Sequence, residues 1–164
     1  GHYTLRLTVT PFDKEKGEQL AQAEFPLILE AGERPQRFPL EIPDAEIWSP
    51  ESPHLYHLVA ELIAPDGGVA GIETHFGLRK IEARGRHIYL NNKTIYLDGI
   101  LYQPGTSTYE EIKRHFHSMK KLGCNLVRVH IAGIDPRIYD LADRMGMLLW
   151  VEIPSPHSSP QRSR

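Results

Sequence analysis

The sequence predicts a chain of two unlike halves, an antiparallel β-sandwich followed by a β-α-β-α-β segment whose strands run parallel. Three observations carry this prediction. Apolar residues recur at a period of two up to about position 80, and at helical spacing in two stretches beyond Thr108. The connections between the later elements are short, which places successive strands side by side and parallel across each intervening helix.

In the first half, Tyr3, Leu5, Leu7 and Val9 alternate with Thr4, Arg6 and Thr8, giving a strand with one wet face. The alternation recurs at Ala21, Ala23, Phe25, Leu27 and Leu29, then at Phe38, Leu40 and Ile42. It returns at Tyr56, Leu58, Ala60 and Leu62, and finally at Ala70, Ile72, Thr74, Phe76 and Leu78. Turn signals separate these runs: Asp13 to Gly17, Ala31-Gly32-Glu33, and Asp66-Gly67-Gly68. Five short strands with polar turns and no helix predict a sandwich of the immunoglobulin-like kind, with one or two strands short of its usual complement of about seven.

A bridge follows. Arg84-Gly85-Arg86 and Asn91-Asn92-Lys93 are tight-turn sequences flanking His87 to Leu90, and predict a small hairpin that closes off the next unit. From Thr94 the period changes. Ile95 to Ile100 reads as a short buried strand; Ser107 and Thr108 precede Glu110 and Glu111 at capping-box spacing. Tyr109, Ile112, Phe116, Met119 and Leu122 then follow a helical period that Gly123 stops. Asn125 to Ile131 is a second strand, and Asp135-Pro136 opens a second helix, with Asp as cap and Pro at its first position. Ile138, Tyr139, Leu141, Ala142 and Met145 form its apolar face, Gly146 ends it, and Met147 to Ile153 is a third strand. Three such strands can begin either a doubly wound sheet or a (β/α)8 barrel. The turn Leu101-Tyr102-Gln103-Pro104-Gly105 lacks a Gly-x-Gly-x-x-Gly pattern, which argues against a dinucleotide site. The residues after Thr94 are also too few for a whole barrel of about 250 residues.

Composition narrows the partners. A formal net charge of -2 with dispersed basic residues offers no phosphate track, so nucleic acid is not expected. No apolar run approaches the ~20 residues of a membrane helix, so no membrane is expected either. The single cysteine, Cys124, allows no intrachain disulfide and no cysteine zinc site, and leans the reading towards a reducing, cytoplasmic compartment without fixing one. His115 and His117 point in different directions on a helix. His54 and His57 fall on opposite faces of a strand, so neither pair makes a metal site. No metal and no cofactor is expected.

Several segments resemble glycoside hydrolase family 2. Trp48-Ser49-Pro50-Glu51-Ser52-Pro53-His54-Leu55-Tyr56 resembles that family's Trp-Ser-Pro-x-x-Pro-x-Leu-Tyr segment, and Phe76-Gly77-Leu78-Arg79 its Phe-Gly-x-Arg exit from the sandwich. Leu90-Asn91-Asn92-Lys93 is similar to the Leu-Asn-Gly-Lys turn before the first barrel strand. Leu122-Gly123-Cys124-Asn125-Leu126-Val127-Arg128 is similar to Leu-Gly-x-Asn-x-Val-Arg, and Asp135 to Tyr139 with Asp143 to Gly146 to the next helix. Five motifs in family order make a far more specific signal than any one of them. The resemblance implies an immunoglobulin-like sandwich over 1–80, a linker hairpin over 81–93 and the first three βα units of an incomplete (β/α)8 barrel over 94–154. The Ser-rich polar stretch from Pro154 is expected to be a disordered tail over 155–164 or a loop left hanging after the third strand. It implies a parent β-galactosidase, β-glucuronidase or β-mannosidase-like enzyme acting on carbohydrate.

Retaining glycosidases use two carboxyl groups about 5–5.5 Å apart. The resemblance places these on the fourth and seventh barrel strands, which lie beyond the matched segments, so no catalytic residue is assigned and the chain alone is expected to be inactive. What it would contribute is pocket wall, at the C-terminal strand ends that face substrate in a barrel. Arg128, ending the second strand, matches a family pocket arginine that would orient a carboxylate and keep it ionised; the alternative is a structural pair with Glu152 or Asp98. His130 points to the same side two residues on, either to sugar or to a structural partner. Glu152, ending the third strand, would accept sugar hydroxyls; the alternative is a surface acid. Tyr102 and Gln103 follow the first strand at sugar-contact or plain loop positions. Asp98 stands where relatives often carry Arg. Trp48 is expected to plug the sandwich, and Cys124 to be a small packed residue.

A non-catalytic carbohydrate-binding or subunit-interaction module is the rival reading, and an exposed aromatic or basic stripe in the sandwich would favour it. A different enzyme with a complete small α/β domain is a third, against which the missing phosphate loop counts. The unpaired edges of a three-stranded parallel sheet predict self-association and a sandwich more stable than the barrel segment.

Overall fold

Strand β1 (His2–Pro11) is the spine of the first half, in a computed structural model that describes residues 1–12, 18–30, 32, 35–130 and 135–152. It pairs antiparallel with β2 (Ala21–Ile28) on one side and β3 (Tyr56–Ile63) on the other, and β3 pairs with β4 (Val69–Phe76), giving the sheet order β2-β1-β3-β4. Register sets Leu5 beside Phe25 and Leu62, and Val9 beside Ala21 and Leu58, so the apolar residues of all these strands share one face. Arg6 on the other face pairs with Glu24 at 2.8 Å and Glu61 at 3.5 Å.

Residues 38–42, expected as a strand, join no sheet. Their sequence explains it: Pro35, Pro39 and Pro43 recur every fourth residue, and each removes a ladder donor. Pro26 is accommodated inside β2 because β2 is an edge strand. Phe38 instead lays its ring against Phe25, centroids 5.0 Å apart, partly covering the apolar face. The described residues therefore form one antiparallel layer here, not two facing ones, and Ile72 on its apolar face remains 71% exposed. The expected turns at 13–17 and 31–33, and the expected tail at 155–164, lie wholly or largely outside the described residues.

The bridge is a three-stranded sheet, β5 (Ile81–Arg84), β6 (His87–Leu90) and β7 (Lys93–Ile95), in the order β5-β6-β7. Asn91 and Asn92 sit at positive φ, 50° and 65°, as a two-residue hairpin turn requires. Ile95 thus belongs to the bridge. The first strand of the next unit, β8 (Gly99–Tyr102), begins four residues later than the apolar run, and there a Cβ on Gly99 would stand 2.9 Å from the Leu126 carbonyl oxygen.

Then follow α1 (Tyr109–Lys121), β9 (Leu126–Val129), α2 (Pro136–Met145) and β10 (Leu148–Val151). The sheet is parallel and ordered β10-β9-β8. Thr108 and Glu111 make the capping box of α1, Asp135 caps α2 with Pro136 behind it, and Gly146 ends α2 at φ 67°. Ile112, Phe116, Met119, Ile138, Leu141 and Ala142 pack with Val127, Val129 and Tyr102 between helices and sheet. Both helices cover this one face, since Val127 and Val129 lie on it together. Neither helix is long and apolar enough to cross a membrane.

Among the described residues, most fully buried side chains belong to the α/β unit, the half that the sequence reading expects to be the more loosely built. Trp48 also lies elsewhere than expected. It is fully buried with Leu55, Leu90 and Leu148, where the first sheet, the bridge and β10 meet, and does not plug a sandwich.

Candidate functional site

The uncovered face of the parallel sheet gathers the polar residues that the sequence singled out. Pleating sends Arg128 to the side opposite Val127 and Val129, and register sets Leu101 and Trp150 beside it in one layer. At its N-terminal end this face is covered, where Leu126 and Leu148 pack with Leu90 and Ile95 from the bridge and with Leu97 just after it. At its C-terminal end it is open, with Trp150 59% and Leu101 56% exposed.

One residue further along, the ladder continues: the amide of Glu152 donates to the Val129 carbonyl at 3.1 Å and that of His130 to the Tyr102 carbonyl at 3.3 Å. Gln103, His130 and Glu152 thereby stand in one row above Arg128. Glu152 is the hub. Its Oε1 accepts from Arg128 Nε at 2.7 Å and also meets Nη2, while its Oε2 meets His130 Nδ1. Because an ionised carboxylate only accepts, Nδ1 is the ring nitrogen that carries a proton towards it. The His130 and Arg128 hydrogen bonds together hold the Glu152 carboxyl below the usual glutamate range. The Glu152 side chain is 24% exposed, so part of it still meets an incoming group. Chemically, the row offers a fixed anionic acceptor with two cationic or donating neighbours, suited to hydroxyl groups.

The other sequence-selected residues are placed differently. Tyr102 pairs with Val129 and points towards the helices; its ring is buried and its hydroxyl lies 3.0 Å from His115 Nδ1, with burial raising its pKa. Gln103 is exposed at the open end. Asp98 precedes β8 at the opposite end of the sheet. Its main chain is held by Asn125, whose Oδ1 accepts from the Asp98 amide at 3.0 Å. Arg128 therefore pairs with Glu152 and not with Asp98. Trp150 went unremarked in the sequence, although its spacing of two from Glu152 already put both on one face.

The remaining histidines stand apart from this site. His54 Nε2 lies 2.8 Å from Glu46 and His57 Nε2 3.5 Å from Glu73, and no group of three His, Cys, Asp or Glu side chains converges among the described residues.

Comparison with known proteins places the whole arrangement. The sequence profile described as "Glycosyl hydrolases family 2" matches residues 1–79. The β-galactosidase of Kluyveromyces lactis is 31% identical over 121 residues, 70% of this chain and 12% of that protein. A putative β-glucuronidase of Formosa agariphila is 27% identical over 121 residues, again 70% and 12%. Among solved structures, a glycosyl hydrolase family 2 member from Bacteroides cellulosilyticus superposes with a TM-score of 0.78 at 23% identity, covering 91% of this chain and 20% of that one. Bacteroides uniformis β-glucuronidase gives 0.74 at 25% identity, covering 96% and 20%. The chain thus spans about an eighth of these curated relatives, and its resemblance runs through both the antiparallel sheet and the α/β unit. It belongs to glycoside hydrolase family 2.

Proposed function

We propose that this chain forms part of a retaining β-glycosidase and supplies one wall of its sugar pocket. The observation that carries the reading is the triad at the open end of the parallel sheet, in which Arg128 and His130 both engage Glu152. In this reading β8, β9 and β10 are the first three strands of a (β/α)8 barrel, within 94–154. Their sequential order and one-sided helices support it. The bridge over 81–93 then stops the N-terminal mouth, which the packing of Leu90, Ile95 and Leu97 supports. The antiparallel sheet, within 1–80, is one layer of an immunoglobulin-like sandwich.

Glu152 accepts hydroxyl hydrogens from the sugar, held ionised and in one rotamer by its two partners. His130 presents Nε2 as a further acceptor. Arg128 is a positioning residue acting through Glu152. Gln103, in the same row, adds an amide that donates and accepts. Tyr102 orients the first strand from behind, and Asp98 has no part in the pocket. The acid/base and nucleophile carboxylates come from strands that this chain does not contribute. It binds carbohydrate without cleaving it.

Incubating the purified chain with chromogenic β-galactoside, β-glucuronide, β-mannoside and β-glucoside tests this division of labour. No turnover on any of them is the expected result. Turnover abolished by Glu152→Gln would show that the chain builds its own active site.

A further inference from the structure

The C-terminal end of α2 is capped from other parts of the chain. The last carbonyls of a helix lack partners within it and carry its partial negative charge. Here Ala142 is satisfied locally by the Gly146 and Met147 amides, but Asp143 and Met145 are not. Trp48 donates its indole Nε1 to the Asp143 carbonyl at 2.8 Å, and Lys120, at the end of α1, donates Nζ to the Met145 carbonyl at 2.6 Å. The same ammonium reaches the Pro50 carbonyl at 2.8 Å, tying the Trp48–Pro53 segment to both helices at once. Burial lowers the Lys120 pKa, yet its donors are well placed on two carbonyl oxygens.

The approach is backbone to backbone. Gly146 adopts φ 67°, and a Cβ there would overlap the Pro50 carbonyl, so a side chain is excluded twice over. A Cβ on Gly77 would stand 2.9 Å from Trp48. Arg79 closes the arrangement, its guanidinium 4.5 Å over the Trp48 ring and 2.7 Å from the Asp143 carboxylate. Asn91 from the bridge donates to the Trp48 carbonyl at 2.9 Å, while the Trp48 amide donates to Leu78 at 2.9 Å. His75 of β4 lies 3.6 Å from Asp143 and 3.9 Å from Asp140.

We propose that the Trp48–Pro53 segment is an intramolecular clasp whose docking on the α2 C-terminus makes the antiparallel sheet and the α/β unit one cooperative body. The clasp fixes the turn that leads directly into β10. It is independent of the glycosidase reading, since none of its residues lines the open end of the parallel sheet.

Two measurements test it. In Trp150→Phe, Trp48 is the sole tryptophan, so its emission reports the clasp while ellipticity at 222 nm reports α1 and α2. Coincident urea midpoints are expected; Trp48 emission reaching its solvent-exposed position while the helices remain native would overturn the proposal. Hydrogen exchange in Lys120→Met supplies the second arm. Exchange in β1 and β3 peptides should quicken roughly tenfold, together with that of α2, as expected for loss of a charged hydrogen bond. Faster exchange confined to α2 would likewise overturn it.

Discussion

Replacing Phe116 by Ala tests whether the α/β unit is as tightly built as its burial indicates. Phe116 is 0% exposed, between α1 and the sheet, and meets the edge of the Tyr102 ring at 5.8 Å and 76°. Removing a fully buried Phe costs about 3–5 kcal/mol in lost transfer energy and residual cavity. Within this, the edge-to-face pair accounts for about 0.5–1.5 kcal/mol. For a chain of this size each kcal/mol lowers Tm by about 2–4 °C, so a fall of roughly 6–20 °C is expected. Thermal unfolding followed at 222 nm reads it directly. Tyr96→Ala is the control: this residue is 85% exposed, and its loss should cost no more than about 0.5 kcal/mol. A Phe116→Ala chain that melts with the Tyr96→Ala chain would refute the reasoning and favour the sequence-based expectation of a loosely ordered second half.

Thr108→Ala removes the hydroxyl that accepts from the Glu111 amide, leaves the backbone half of the capping box in place, and should cost about 0.5–2 kcal/mol, read as a lower urea midpoint at 222 nm. Gly77→Ala drives a methyl against the buried Trp48 and should cost about 1–3 kcal/mol, visible in Tm and in Trp48 emission. Burial pushes the Asp140 carboxyl up, but hydrogen bonds from Arg144 and Tyr109 outweigh it and hold the group below its ordinary 3.8. A depressed carboxylate stabilises above its unfolded value and loses that contribution as pH falls through its folded one. Asp140→Asn should therefore lower Tm at neutral pH, by an amount that shrinks below pH 3.8; a difference constant with pH would contradict this. Arg128→Ala should release the Glu152 carboxyl towards its ordinary range, seen as a raised pKa in a carbon-detected NMR titration.

Much of this architecture is legible in residue order. Alternation alone locates β1, β2, β3 and β4, and the caps Thr108 and Asp135 fall where their spacing to Glu111 and Pro136 demands. Alternation misleads at Phe38, Leu40 and Ile42, because it registers side-chain parity and is blind to the donors that three prolines remove. It also assigns Ile95 to the wrong sheet, since a short apolar run carries no mark of where one sheet ends and the next begins. At the site, parity puts Arg128 and His130 on one side and leaves Arg128 a choice between Glu152 and Asp98; the meeting of His130 with Glu152 is seen only in the fold. Parity was available for Tyr102 as well, and would have turned it towards α1. The clasp was not legible. Gly146 reads only as a helix stop and nothing in the sequence marks Lys120; only the fold brings Pro50 against them.

The most direct test of the pocket-wall reading is an NMR titration of the isotope-labelled chain with methyl β-galactoside and methyl β-glucuronide. The account predicts that sugar perturbs the Arg128 Nε–H and His130 ring resonances at the open end of the parallel sheet, and that Glu152→Gln removes the effect. Perturbation located elsewhere, or unchanged in Glu152→Gln, would contradict it.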